Sequence, residues 1–434
     1  MKDRLFEIWL SLRMGVANPA FIPLLSRYTP YELFSMDTDA ISELSCDDRI
    51  KKALEDKNLE ESHRIQHYCR QNGIRLLFWQ DEAYPRPLKN LIDPPMLLYY
   101  MGNLPDFNSR LCISVVGTRT MSEYGKRMAY KIGYELAAVG TVVVSGMALG
   151  VDAVAAAGAL AAKGTTVAIL GCGIDIVYPV AHKALRDAIL QNGAVMTEYP
   201  PATRPLGHHF PQRNRIISGL SQGTVVVEAG ESSGALITAK TALSQGRDVF
   251  AVPGNVGDAQ TSGTNRLIFD GAGVVLKTRD VIDSYSFLYR DAIRLDRLVM
   301  AERNSDLDES VLERLSIYVR TPKTEPKETH RAPTPTPQVS TPSSKPKSVR
   351  EPEPRKTSAP KPSEPRVGDA SEQILQTLPE VQRKLFEALP LDHAVAVDYL
   401  VKAGFSMSDI MSAMTMLEIK GLVVALPGGL YSRK

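Results

Sequence analysis

From Cys112 onward the chain alternates short, wholly apolar, β-branched runs with helical stretches, and this pattern restricts the fold more than any other feature. The runs are Ile113 to Val116, Val142 to Val144, Val167 to Leu170, Ala194 to Thr197, Val225 to Val227, Val249 to Val252 and Val274 to Leu276. Between them lie helical patterns at Tyr124 to Val139, Val151 to Lys163, Lys183 to Gln191 and Ala235 to Gln245. A strand apolar on both faces has to be covered on both faces, which is the situation in a parallel sheet between two layers of helices. Right-handed crossovers then bring the C-terminal ends of the strands to one edge, where doubly wound sheets bind ligands. The expected fold is α/β, an extended doubly wound sheet of the Rossmann type.

The flanks read differently. Residues 1–75 are helical in pattern, with Leu5, Ile8, Trp9 and Leu12 on one face, helix starts at Pro30 and at Asp39-Ala40-Ile41, and a helix from Leu59 to Gln71 closed by Asn72-Gly73. Strands are expected at Ile74 to Trp79 and Leu97 to Tyr100. The sheet domain is placed at 76–285 and a helical extension with a linker at 286–370. Within that extension, residues 321–366 hold twelve prolines, no aromatic residue and ten Lys/Arg against five Asp/Glu. Such a stretch cannot bury enough apolar surface to fold, so an extended basic linker is expected. At 371–434, helical runs at Val381 to Leu389, Val395 to Ala403 and Met407 to Ile419 precede a hairpin around Pro427-Gly428-Gly429, the pattern of a winged helix.

Charge and cysteine content narrow the function classes. Fifty-one Lys/Arg against 49 Asp/Glu leave a formal net charge of +2, so any nucleic-acid contact has to be a local basic site. The four cysteines have no CxxC spacing, which fits a reducing compartment without structural zinc. His63 and His67 have the i, i+4 spacing of a zincin, but Arg64 stands where the glutamate would be. The N-terminal residues do not form a signal peptide, and no run of about eighteen apolar residues exists. A cytoplasmic protein is expected.

Four glycine-bearing turns end the expected strands: Gly117-Thr118-Arg119, Ser145-Gly146-Met147, Gly171-Cys172-Gly173 and Ser232-Ser233-Gly234. Each permits close approach of a ligand to the backbone or simply makes a tight βα turn. Gly171-Cys172-Gly173 lacks the third glycine of a dinucleotide fingerprint, Ile176 standing in its place. Gly125-Lys126 imitates a P-loop end, but Thr120 and Arg127 replace residues that such a loop requires. Arg213-Asn214-Arg215 is read as a basic loop opening a helical pattern at Ile216 and Ile217. Two helix starts with cations beside them suit phosphate. Arg119 and Lys240 fit either phosphate contacts or structural ion pairs, and Asp152 and Glu228 fit either acid–base groups or turn acceptors. No Ser-His-Asp, Cys-His or metal-ligand cluster stands out, so no cofactor or metal is expected.

Several ordered blocks are more specific. SVVGTR at 114–119, SGMALGVD at 145–152, FPQRNRIISGLS at 210–221, VVEA at 226–229, SGALITA at 233–239, RDVFAVPG at 247–254 and GTNRLI at 263–268 resemble the DprA/Smf family of DNA-processing proteins. The resemblance runs from about Gly73 to Leu276, with flanks that fit a SAM or helix-hairpin-helix-like N-terminus and a winged-helix C-terminus. It implies a homodimeric, non-catalytic protein that binds and protects single-stranded DNA and loads RecA recombinase onto it during natural transformation. Carried over by position, the DNA-contacting residues are Arg119, Ser145, Gly146, Arg213, Asn214, Arg215 and Gly234, with Lys240 and Asn265 added. His208, His209, Phe210 and Tyr178 are candidates for base stacking, Phe210 being read rather as core. The helix expected at Met407 to Ile419 carries Asp409 and Glu418 and no Lys or Arg, so protein contact by the winged helix stands beside DNA contact. The rival class is a Rossmann nucleotide hydrolase of the phosphoribohydrolase type, with Glu228 as its catalytic carboxylate. Such enzymes carry a Gly-Gly-x-Gly-Thr turn, whereas this chain reads Ala229-Gly230-Glu231-Ser232-Ser233-Gly234.

Overall fold

The strands β1 (Arg75–Phe78), β2 (Leu97–Gly102), β3 (Cys112–Val116), β4 (Val142–Ser145), β5 (Thr166–Ile169), β6 (Gly193–Thr197), β7 (Gly223–Val226), β8 (Asp248–Ala251) and β9 (Gly273–Val274) form one sheet. Their order is β1-β2-β6-β5-β4-β3-β7-β8-β9 in a computed structural model. The structure describes residues 4–319 and, further on, 379–390, 395–396, 400, 405, 410, 413–414, 417, 422–426 and 430–433. Strands β3 to β9 run parallel, while β2 lies antiparallel to β6 and β1 antiparallel to β2. From β3 the chain steps outward through β4, β5 and β6. It then returns to the other side of β3 with β7, so the topological switch lies at β3, the place where such sheets open a crevice.

The two sheet faces account for two separate apolar layers. Ile113, Val115, Val143, Ala168 and Val225 point into the layer shared with helices Glu123–Ala138, Val151–Ala161 and Lys183–Asn192. Cys112, Val116, Val142, Val144 and Val226 point into the layer under helices His209–Leu220 and Gly234–Ser244. Neighbouring residues alternate between layers, as the two-residue strand period requires, and both layers need apolar side chains. That is why these strands read as unbroken apolar runs.

Six short helices fill 5–71, from Leu5–Met14 to Glu60–Gln71. Their starts are chemically marked. Thr29 and Glu32 form a reciprocal capping box ahead of Pro30, and Asp37 and Asp47 cap the next two helices. Trp9, Phe21, Leu33 and Leu54 join the same apolar layer as the sheet. Arg4 pairs with Asp81 at 2.6 Å, and the Ala17 amide donates to Glu198 at 3.2 Å, so polar links reinforce the join. Past β9, helices Leu298–Asn304 and Glu309–Arg314 fold back onto Glu123–Ala138 and Val151–Ala161, burying Leu298, Val311, Leu312 and Leu315.

Residues 1–330 and 331–434 are separate compact units. In the second, helix Glu380–Ala388 accompanies β10 (Val395–Ala396), β11 (Val423–Leu426) and β12 (Leu430–Arg433), in an antiparallel sheet ordered β10-β12-β11. The run expected as helix from Val395 therefore opens as a strand, because Val395 pairs with Tyr431 across the wing. Ile410, Ala413, Met414 and Leu417 are helical and buried, at the i, i+3, i+4, i+7 spacing of a core-facing stripe. The Pro-rich stretch 321–366 lies outside the described residues. Among the described residues no helix is long and apolar enough to cross a membrane.

The closest helix pair, Glu123–Ala138 on Val151–Ala161, crosses through glycines. A Cβ on Gly133 would lie 2.1 Å from the Ala155 carbonyl oxygen, and one on Gly158 would lie 2.1 Å from that of Tyr130. Backbone cannot swing aside as a side chain can, so Gly158→Ala forces the helices apart. We expect a loss near the upper end of the ~1–3 kcal/mol typical of overpacking, read as a lowered urea midpoint. An unchanged midpoint would show that the crossing is loose.

Candidate nucleic-acid interface

A cleft of about 1290 Å³ opens along the C-terminal ends of the parallel strands. One wall is Gly117-Thr118-Arg119 after β3, with Tyr178, Phe210, Arg213 and Asn214. The other is Gly230 to Gly234 after β7, with Gly257 to Gln260 after β8. The 257–262 loop is the part that sequence reasoning did not reach. Its signal was present in the Gly- and Asp-containing stretch that follows a parallel strand.

Arg119 stands on a stiff turn. The Thr118 amide donates to the Glu228 carbonyl at 2.7 Å, and the Thr118 carbonyl accepts from the Val151 amide at 3.2 Å. That second bond needs the chain to pass Gly150 at φ +84°, where a Cβ would sit 2.3 Å from the Thr118 oxygen. Arg119 itself is exposed, makes no ion pair among the described residues, and lies over the Phe210 ring at 5.5 Å. Phe210, read from sequence as core, is only half-buried. It lines the cleft because its other neighbours are Tyr178, at 5.4 Å between ring centres, and Arg213. His208 is exposed at the rim. His209 is buried in a stack with Tyr199 and faces inward.

Arg213-Asn214-Arg215 does not form a loop ahead of a helix. The helix begins at His209, and the three residues sit inside it. Pro211 in its first turn does not break it, because amides there have no helical partner to lose. Helical spacing then splits the two arginines. Arg213 is buried beneath the cleft, donating to the Gly146 carbonyl at 2.9 Å, to the Ile169 carbonyl, and to Asn214 Oδ1 at 3.1 Å. Arg215 is buried away from the cleft, paired with Glu198 and 3.3 Å from Asp93. Burial pushes the Glu198 carboxyl up, against the pull of Arg215.

The remaining expected residues separate in the same way. Gly146 is clamped on both sides, its amide donating to Asp152 at 3.0 Å and its carbonyl accepting from Arg213. Burial raises the Asp152 carboxyl and lowers the Arg213 guanidinium, while the attraction between the two works against both shifts. Ser145 is buried, with its hydroxyl on the Val115 carbonyl at 2.9 Å. Gly234 is exposed on the far wall and starts a helix capped by Ser233, so the positive end of that helix meets the cleft. Lys240 is exposed on the same helix but does not line the cleft. Asn265 has its amide committed to both backbone atoms of Gly254, each at 3.1 Å. Lys126 is not part of a phosphate loop and pairs with Glu309 at 2.5 Å.

Glu228 is fully buried and not among the cleft-lining residues. Its carboxylate accepts from the Ser122 amide at 3.0 Å and from the Ser122 hydroxyl at 3.2 Å, at the cap of helix Glu123–Ala138. This geometry makes it a brace for the turn that carries Arg119. Burial raises the Glu228 carboxyl, against the pull of those two donors. A folded state that binds this proton more tightly than the unfolded chain loses stability as pH rises from the ordinary carboxylate value through the raised one. Glu228→Gln keeps an oxygen for Ser122 and has no proton to lose. Its melting temperature relative to the parent should therefore improve from about pH 4 to pH 7, and a pH-independent difference would contradict the assignment.

Among the described residues no group of three or more His, Cys, Asp or Glu is placed to hold a metal ion. A family model described as DNA recombination-mediator protein A matches residues 75–286, and one described as the DprA winged helix domain matches residues 358–429. The DNA processing protein DprA of Bacillus subtilis is 38% identical over 240 residues, covering 54% of this chain and 81% of that one. Its counterpart in Streptococcus pneumoniae is 36% identical over 289 residues, 66% of this chain and 100% of that one. The X-ray structure of S. pneumoniae DNA processing protein A matches with a TM-score of 0.57 and 34% identity, over 65% of this chain and 98% of that one. With the sheet, the strand-end blocks and the winged helix in agreement, the chain belongs to the DprA/Smf family of DNA processing proteins.

Proposed function

We propose that the cleft binds single-stranded DNA and that the protein delivers it to a RecA recombinase, in recombination that includes DNA taken up during transformation. The observation that carries the reading is Arg119, an exposed cation held by a braced turn directly over a half-buried aromatic ring. Cation and ring serve the two parts of a nucleotide, the phosphate and the base face. The cleft exceeds the ~300–1,000 Å³ usual for a single small ligand and is open, which suits a run of nucleotides. Phe210 and Tyr178 can be reached by an unpaired base but not by one stacked inside a duplex. Delivery to RecA is supported by the family's description as a recombination mediator.

The homodimer is proposed to form at the β9 edge of the sheet. There β9 is unpaired on one side among the described residues, and Phe269, Val274 and Leu276 are exposed beside it. An open strand edge with apolar side chains is a surface that a second copy can cover. Leu276→Asp is expected to shift sedimentation from dimer to monomer without lowering the melting temperature of the fold. Unaltered sedimentation would place the dimer elsewhere.

Binding follows from fluorescence anisotropy over a salt series. Arg119→Ala should weaken single-strand binding roughly tenfold and flatten the log K against log salt slope by about 0.7, one phosphate's share. Phe210→Ala should cost about 1–3 kcal/mol, one stacked base, and leave the slope unchanged. Both variants should also slow nucleation of RecA filaments on DNA coated with a single-strand-binding protein. If neither weakens binding, the cleft is not the DNA site.

A further inference from the structure

The helix Glu60–Gln71 presents a face that the cleft does not explain. Ser62, Ile65, Gln66 and Cys69 are buried, whereas His63, Arg64, His67, Tyr68 and Arg70 are exposed. Arg64 and Arg70 enter no ion pair among the described residues, and the helix's own acids, Glu60 and Glu61, are confined to its first turn. Tyr68 occupies the position one turn after Arg64, so the two lie side by side. An exposed helix face with two free cations, two imidazoles and a phenol is often no more than a solvated surface. Its position distinguishes this one.

The face adjoins the rim of the cleft through a short chain of contacts. Pro205 and Gly207 line the cleft and belong to the 199–208 loop, which also carries the exposed side chains of Arg204 and His208. The loop is pinned by Asp175, whose carboxylate accepts from the Ala202 amide at 2.9 and 3.1 Å. Asp175 in turn faces Tyr68, whose phenol is raised by burial and by that carboxylate. A second attachment, the Ala17 amide on Glu198, holds the helical module where the loop begins. Asp175 keeps its charge while it accepts from the loop amide. Exposed arginines mark the route on either side of it: Arg119 in the cleft, Arg204 on the rim, Arg64 and Arg70 on the helix, with the acids Glu60 and Glu61 at the helix start.

Given the single-strand reading above, we propose that a strand held in the cleft leaves it over the 199–208 loop and continues onto the exposed face of Glu60–Gln71. There Arg64 takes a backbone phosphate while Tyr68, one turn on, offers its ring to a base, and Arg70, at the other border of the exposed face, takes a phosphate further along the strand. The N-terminal module thereby lengthens the binding site, and its contribution depends on strand length.

The test compares oligonucleotides of about six and about thirty nucleotides, the shorter within the range one binding module spans. The full-length chain is used, with CD melting to confirm folding. The Arg64→Ala/Arg70→Ala double variant should bind the long strand about tenfold more weakly at low salt, with the salt slope reduced by about 1.4 for two lost phosphates. Its affinity for the short strand should be unchanged. Tyr68→Ala should weaken the long strand alone and leave the slope intact. The Arg64→Lys/Arg70→Lys variant should retain the slope. Equal effects on both lengths, no effect on either, or a Lys variant as weak as the Ala variant would each overturn the proposal. Arg119→Ala separates the two readings because it should weaken both lengths. If it weakens neither, the cleft assignment fails, while a length-dependent loss at Arg64 and Arg70 would still be seen.

Discussion

The backbone of Gly146 is the fixed point on which the cleft depends. Its amide is held by Asp152 and its carbonyl by Arg213, and Arg213 also reaches the end of β5 through Ile169. Removing two opposite charges from water is costly, and their mutual attraction offsets that only when hydrogen bonds fill the remaining positions. Here the backbone groups of two strand-end turns supply those positions. The pair therefore ties β4 to β5 beneath the ligand surface, and losing either member would leave a buried charge alone. Arg213 consequently supports the cleft floor whether or not it also touches a phosphate.

A second brace governs the opposite side of the switch. Glu228 ends the β7 run, accepts the Ser122 donors through its carboxylate and the Thr118 amide through its carbonyl, and so fixes both ends of the 117–122 turn. Of the three arginines expected at the site, Arg213 and Arg215 are committed to partners inside the protein, and Arg119 remains available. This distribution suits a holding site. The buried charges set the shape, and the exposed one, on a turn that cannot relax away, meets the ligand without a large ordering cost.

The parallel sheet was legible because both of its faces are buried, so every strand from β3 to β8 shows as an apolar run, and most of these runs lead into a glycine-bearing turn. The edge of the site was legible for the same reason, since strand ends follow from strands. What sequence could not assign was the direction of each side chain within a helix. Arg213 and Arg215 are two residues apart, and a helix sends such residues to different sides, one under the cleft and one to Glu198. Asn265 enters the expected site only through the resemblance, and its two hydrogen bonds to Gly254 join positions eleven apart that sequence does not pair. Phe210 looked like core because large aromatic residues usually are, and only tertiary contacts reveal it between Arg119 and Tyr178. Val395 read as helix because its pairing partner, Tyr431, lies across the wing.

The two walls of the cleft differ in charge, and that difference sets the path of the strand proposed to bind there. On the wall after β3, Arg119 is exposed. On the wall after β7 and β8, Glu231 and Asp258 are exposed, although the positive end of the Gly234–Ser244 helix lies between them. A polyanion is repelled from the carboxylate rim and drawn to the arginine side, more strongly at low salt because these groups face solvent. In the proposed complex, phosphates follow Arg119 and bases turn inward to Phe210 and Tyr178. Beyond the cleft, the 199–208 loop carries the exposed Arg204 and His208 and is joined through Asp175 to Tyr68 of the helix Glu60–Gln71. A strand leaving the cleft over this loop stays beside cations, whereas the opposite exit would take it past Glu231 and Asp258.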